Sequence, residues 1–285
     1  MQSSTKDFIL ATVCLLIAMM TIQSGASFAK QLFPIVGPEG TTALRLGFSA
    51  LLLCLVFKPW KHIPTRGNRL AIVVYGLSLG GMNILFYYAI ERIPLGIGVA
   101  LEFTGPLAVA LFSSRRKRDL FWVACAIAGI LLLLPDMSGE ESLDPVGVIL
   151  ALAAGACWAG YILFGKKTGM QSSGGATVAL GMTVAAIVLV PYGGIMQASA
   201  FTWEVIPLGI GIAVLSSALP YTLEMVALRN MPSQGFSIMM SLEPAIASLA
   251  AFVILGELLT LLQWLAILLV IIASAGSSFS GESKK

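Results

Sequence analysis

The feature that most constrains this chain is the rhythm of its apolar runs. Stretches of about 20 residues, almost free of charge, recur along its length, and short segments between them hold most of the Lys, Arg, Asp and Glu. Coiled as an α-helix rising about 1.5 Å per residue, such a run matches the roughly 30 Å hydrocarbon core of a bilayer. Only 11% of the 285 residues are charged, against about 25% in a soluble domain. So few charges cannot cover a water-facing surface, so lipid must face much of the chain. Runs bounded by charges or turn residues predict ten spans, at 8–29, 40–57, 70–90, 94–113, 120–135, 146–165, 175–193, 205–228, 235–255 and 261–279. The expected fold is an all-α integral membrane protein with no room for a separate soluble domain. The first run is long enough to be a permanent helix rather than a cleaved leader.

Orientation follows from the basic residues of the short loops. With the N-terminus inside, the inner segments hold Lys6, Lys58, Lys61, Arg66, Arg69, Arg115, Arg116, Lys117, Arg118, Lys166, Lys167, Arg229, Lys284 and Lys285, which is 14 of the 17 Lys and Arg. Both termini are therefore expected in the cytoplasm. The basic run 115–118 reads as a topology signal, not as a nucleic-acid patch.

The two halves of the sequence align. Offset by 138 positions, Ser78 falls on Ser216, Pro94 on Pro232 and Pro106 on Pro244; offset by 135, Gly25 falls on Gly160, Gly40 on Gly175 and Thr42 on Thr177. Five spans per half is an odd number, so the second half enters from the opposite side. Residues 1–135 and 136–285 are expected to form two inverted five-helix repeats, an architecture that supports alternating access. Ten spans suffice for a monomer.

Charges inside the membrane are costly and point to function. Glu102, Glu243, Glu224 and Arg45 lie within apolar runs. Glu102 and Glu243 are each eight residues into their spans, from opposite sides, about 12 Å deep. Pro106, Pro220 and Pro244 break helices nearby, because proline cannot donate to the carbonyl four residues back; the carbonyls of Glu102, Ser216 and Met240 are left free. A buried carboxyl suits a proton carrier. Arg45 can snorkel to the outer surface or hold an anion. Gln23, Ser24, Ser78, Asn83, Trp158, Tyr161, Tyr221 and Thr222 could line a path or bond between helices. Gly76, Gly80, Gly81, Gly155 and Gly160 read as close helix contacts.

Other chemistries are poorly served. Gly76-Leu77-Ser78-Leu79-Gly80 has the spacing of a hydrolase nucleophile elbow, but it sits mid-helix, and the single histidine, His62, is in a polar loop. The four cysteines, Cys14, Cys54, Cys125 and Cys157, lie within apolar runs with no CxxC spacing, which fits packing rather than a metal or disulfide.

Long runs carry a family resemblance: IQSGASFAK (22–30) with TALRLG (42–47), SLGGMNILFYYAI (78–90), PLGIGVALEFTGPLAVALFSSRR (94–116), GACWAGYIL (155–163), LSSALPYTLEMVAL (215–228) and MSLEPA (240–245). In these the chain resembles the EamA-type transporters of the drug/metabolite transporter superfamily. The resemblance implies ten spans, no cofactor, no catalytic residue, and export of small neutral amino acids (threonine, homoserine and analogues) across the bacterial inner membrane, driven by protons. Another small metabolite or drug is the alternative cargo. For a zwitterion, Glu102 or Glu243 would meet the ammonium, Arg45 or a broken-helix N-terminus the carboxylate, and Asn83, Ser78 or Tyr221 a side-chain hydroxyl.

Overall fold

The computed structural model describes residues 5–61, 69–113, 119–133, 143–167, 170–230, 236 and 239–281. Among these, helices are joined by short turns and no strand occurs. In chain order they are α1 (Thr5–Phe57), α2 (Arg69–Arg92), α3 (Leu95–Glu102), α4 (Thr104–Ser113), α5 (Asp119–Leu133), α6 (Pro145–Lys167), α7 (Met170–Met196), α8 (Val205–Ala213), α9 (Leu219–Asn230), α10 (Glu243–Leu255) and α11 (Leu261–Gly281). Four segments are long and apolar enough to cross a membrane, residues 9–57, 69–92, 145–165 and 175–196; shorter apolar helices cover 95–109, 205–218, 243–255 and 261–273. The basic run 115–118, His62 and most of the loop 136–145 lie outside the described residues.

The helix ends have local causes. Pro145 opens α6, where a missing N–H costs nothing, and Asp144 Oδ1 accepts from the Val146 N–H at 2.8 Å. Arg92 Nη1 donates to Asp144 Oδ2 at 3.0 Å, and these bonds draw the Asp144 carboxyl below its usual range, the Arg92 bond most. Gly256 ends α10 with φ 70°, in the left-handed region that glycine tolerates, and its N–H returns to Phe252 O.

The runs 8–29 and 40–57 were expected as separate spans with a connection between them. The structure separates them: α1 consists of two helical legs that meet at Gly37 (φ 65°, ψ 170°), between Pro34 and Pro38. A straight helix would hold Gly25 and Arg45 about 30 Å apart. Both nevertheless touch Ser216: its backbone N lies 3.2 Å from where a Gly25 Cβ would stand, and Arg45 Nη2 reaches its carbonyl. The chain therefore folds back at Gly37.

Other runs are broken, as the prolines predict. Residues 94–113 divide at Phe103 into α3 and α4, three residues before Pro106. A turn at Ser241–Leu242 precedes α10, again three residues before its proline, Pro244. Between α8 and α9 the backbone widens into a π-turn, Val214–Ala218, where the Leu219 N–H bonds to Val214 O just ahead of Pro220.

The helices pack as α1 with α7, α8, α9 and α10, α2 with α6 and α7, α3 with α6 and α10, α4 with α6, and α5 with α11. Small residues sit at the crossings, where close approach replaces the hydrophobic drive that lipid cannot supply. Gly76 and Gly80 meet Val184 and Ala185 of α7, Gly81 meets Cys157, and Gly160 meets Ser78. Ile187, Ile195, Val253 and Leu261 face outward, an apolar surface suited to lipid.

Candidate functional site

The two proline-led breaks set the site. Glu102 is the last residue of α3 and Glu243 the first of α10, and these helices pack together. Both carboxyl side chains are buried, at 7% and 5% exposed. Gln23 of α1 donates from Nε2 to Glu243 Oε1 at 2.9 Å. The remaining oxygens of this pair, Gln23 Oε1 and Glu243 Oε2, are buried with no hydrogen-bond partner. Glu102 lies within electrostatic reach of Glu243 and Arg45, and Glu224 within reach of Glu243.

Arg45 turns inward rather than to a surface. Its Nη1 donates to Tyr87 Oη at 3.1 Å, its Nη2 approaches Ser216 O at 3.5 Å, and its guanidinium carbon lies 5.4 Å from the centre of the Tyr87 ring. The carbonyl it approaches is the one that Pro220 cannot engage, so the break expected from the sequence creates the arginine's acceptor. Ser217, the next residue of the π-turn, shares a hydrogen bond with Ser49 at 2.9 Å.

Aromatic side chains wall the region. Trp158 meets Phe103 edge-on at 5.3 Å, and Tyr161 stacks on Tyr75 at 4.7 Å. Tyr161 is within electrostatic reach of Glu224, and Cys157 of Glu102. Beneath the Glu102 break, α4 and α6 touch backbone to backbone: Gly105 faces the Gly155 carbonyl, and Gly155 leaves only 2.7 Å between a notional Cβ and the Glu102 carbonyl.

The remaining expected residues divide. Asn83 is buried, and its Nδ2 donates to Leu79 O one turn back in its own helix. Ser78 sits at the Gly160 crossing. The Tyr221 side chain lies outside the described residues, as does that of Thr222. Tyr87 and Tyr75 were not anticipated; the consecutive aromatics Phe86-Tyr87-Tyr88 near an embedded arginine were the available signal.

A second polar network joins one end of the bundle. Lys30 Nζ donates to Glu257 Oε1 at 2.6 Å and to Ile93 O at 3.1 Å, while Glu257 Oε2 accepts from the Leu95 N–H at 2.8 Å. The left-handed Gly256 delivers Glu257 to this position. Tyr88 ties α2 to the start of the second leg of α1 and to α7: it donates to Glu39 Oε1 at 2.7 Å and lies 3.0 Å from Tyr192 Oη.

This arrangement can receive a small charged molecule. Carboxylates accept N–H bonds from a cation, and a guanidinium fork offers parallel donors to a carboxylate.

Comparison with known proteins places the chain among transporters by sequence. Residues 145–279 match the model of the EamA-like transporter family. The chain is 53% identical over 272 residues to the threonine/homoserine exporter RhtA of Salmonella typhimurium (strain SL1344), covering 95% of this chain and 92% of that one. It is 52% identical, with the same coverage, to RhtA of Escherichia coli (strain K12). An uncharacterized transporter of Bacillus subtilis (strain 168), YwfM, is 28% identical over 82% of this chain and 81% of its own. A solved crystal structure, described only as that of a protein, superposes at TM-score 0.57 and 18% identity over 99% of each chain, which bears on the fold alone.

Proposed function

Because the chain belongs to the EamA-like transporter family of the drug/metabolite transporter superfamily, we propose that it is a secondary active exporter of small neutral amino acids, namely threonine, homoserine and analogues. It works across the bacterial inner membrane by proton antiport and alternating access. The substrate class rests on the names of the RhtA relatives. The observation that carries a transport role is the gathering of buried Glu102 and Glu243 with half-buried Arg45 beside two helix breaks. The carboxyls meet the ammonium or a proton, and Arg45 meets the carboxylate.

The architecture proposed is ten spans in two inverted halves, 1–135 and 136–285, with both termini cytoplasmic and the chain a monomer. Helix pairing supports this. The pairing of α2 with α6 has its counterpart in that of α9 with the first leg of α1, as a two-fold relation between the halves requires. The breaks at Phe103 and Ser241 are 138 positions apart, the repeat offset itself. In the orientation that the basic residues favour, the Lys30–Glu257 network lies outside, so its closure describes a state sealed to the exterior.

The aromatic walls at Phe103, Trp158, Tyr75 and Tyr161 favour a second reading, a larger aromatic or cationic metabolite or drug. One experiment separates the two. Purified protein in liposomes under an imposed pH gradient should accumulate labelled homoserine or threonine, and a protonophore should abolish this. No movement of either amino acid by folded protein would discard that substrate class and turn the search to the wider panel.

A further inference from the structure

The Gln23–Glu243 pair has a property that neither residue has alone. Gln23 Nε2 donates to Glu243 Oε1, which leaves each side chain with one buried oxygen, Gln23 Oε1 and Glu243 Oε2, that has no partner. Gln23 is 2% exposed and Glu243 5%. Leaving two buried acceptors side by side is unfavourable, because each forfeits its hydrogen bonds to water. Nearby hydroxyls do not supply the missing donors: Ser27 Oγ donates to the Gln23 backbone carbonyl and Ser248 Oγ to that of Pro244, each one turn back in its own helix.

We propose that Gln23 is the positioning residue for Glu243, and that the two oxygens left open form a cradle for the substrate's ammonium group. This rests on the amino-acid reading above. An ammonium carries three N–H donors and satisfies both acceptors at once. A proton on Glu243 does so differently: the carboxyl O–H donates to Gln23 Oε1 while Gln23 Nε2 donates to the other carboxyl oxygen, and the pair closes into a two-bond ring. Proton and ammonium therefore satisfy the same two oxygens in mutually exclusive ways. Gln23 has the fitting chemistry because a carboxamide has both a donor and an acceptor on one plane; leucine has neither.

Among the described residues, the charged and titratable groups around the pair are few. From α3 comes Glu102, from α9 Glu224, and from the second leg of α1 Arg45, which sits near Glu102. Lys30 on the first leg is engaged by Glu257, and α11 carries no charged residue.

The test compares homoserine with 4-hydroxybutyrate, the same chain without its amino group, binding to purified full-length protein at several pH values. In the wild type, homoserine should bind more tightly as pH rises and Glu243 gives up its proton. Gln23→Leu should weaken homoserine about tenfold or more, flatten that pH dependence, and leave 4-hydroxybutyrate unaffected. The exchanged pair Gln23→Glu with Glu243→Gln restores one carboxyl and one carboxamide, and should recover homoserine binding; it also serves if Gln23→Leu fails to fold. Equal loss for both ligands, or homoserine binding by Gln23→Leu equal to wild type, overturns the role of Gln23. Wild-type protein that binds neither ligand overturns the amino-acid reading itself.

Discussion

Lys30 and Glu257, 227 positions apart, meet at 2.6 Å with the Leu95 N–H and the Ile93 carbonyl completing the junction. Glu257 thus ties the first leg of α1 to the start of α3. Glu257→Gln weakens the ion pair and the charge-assisted bond to the backbone, a loss of about 1–3 kcal/mol. The expected outcome is a lower melting temperature in detergent and a population shifted toward the state open at this end, read as faster labelling of Cys157 by a maleimide added from outside. Unchanged melting and labelling would deny the junction a gating role.

Arg45 should not tolerate lysine. A lysine keeps the charge but loses the fork that reaches Tyr87 and Ser216 together. Arg45→Lys is expected to raise the KM for homoserine by roughly tenfold at normal expression. Wild-type KM in this variant would remove Arg45 from carboxylate binding.

Glu102→Gln keeps the shape of the side chain and removes its charge. Cells producing this variant at wild-type level should lose their added resistance to homoserine. Full resistance would take Glu102 out of the mechanism.

Two glycines give a controlled contrast. A Cβ at Gly155 would stand 2.7 Å from the Glu102 carbonyl, a backbone atom with little freedom to move, whereas one at Gly194 meets nothing within 4 Å. Gly155→Ala is expected to destabilise by about 1–3 kcal/mol, and Gly194→Ala to stabilise by up to about 1 kcal/mol through helix propensity. Thermal unfolding of both variants checks this; similar melting temperatures would contradict the packing.

Much of the fold was legible because lipid imposes a simple rule. The runs 70–90 and 146–165 emerge as α2 and α6 with ends displaced by only a residue or two, since Arg69, Arg92, Pro145 and Lys167 mark where apolar sequence stops. Interruptions lie within a few residues of each of the prolines at 106, 220 and 244. Their form was not legible: a π-turn before Pro220 and a break at Phe103 depend on what neighbouring helices offer the loosened backbone. Nor did the tightness of the fold-back at Gly37 show in the sequence: helix runs up to it through Pro34 and resumes with Pro38 in the first turn of the second leg, where proline is tolerated. At the site, embedded charge singled out Glu102, Glu243 and Arg45. Partners were harder to read, because helices apolar on nearly every side have no stripe to say which residue faces which helix. Asn83 donates from Nδ2 to its own turn, while Tyr87, hidden among aromatics, contacts the arginine.

The backbone contact between Gly105 and Gly155 has a mechanical consequence. With no side chain between them, α4 and α6 have no cushion at that point, so they can swivel about it but cannot be pressed closer. It is a fulcrum, and Glu102 sits on it. An arm of ten residues from there is about 15 Å long, so a tilt of about 10° carries its tip roughly 3 Å while the fulcrum stays put. A tilt of either helix about this point would therefore displace its ends while leaving the backbone at Glu102 nearly in place.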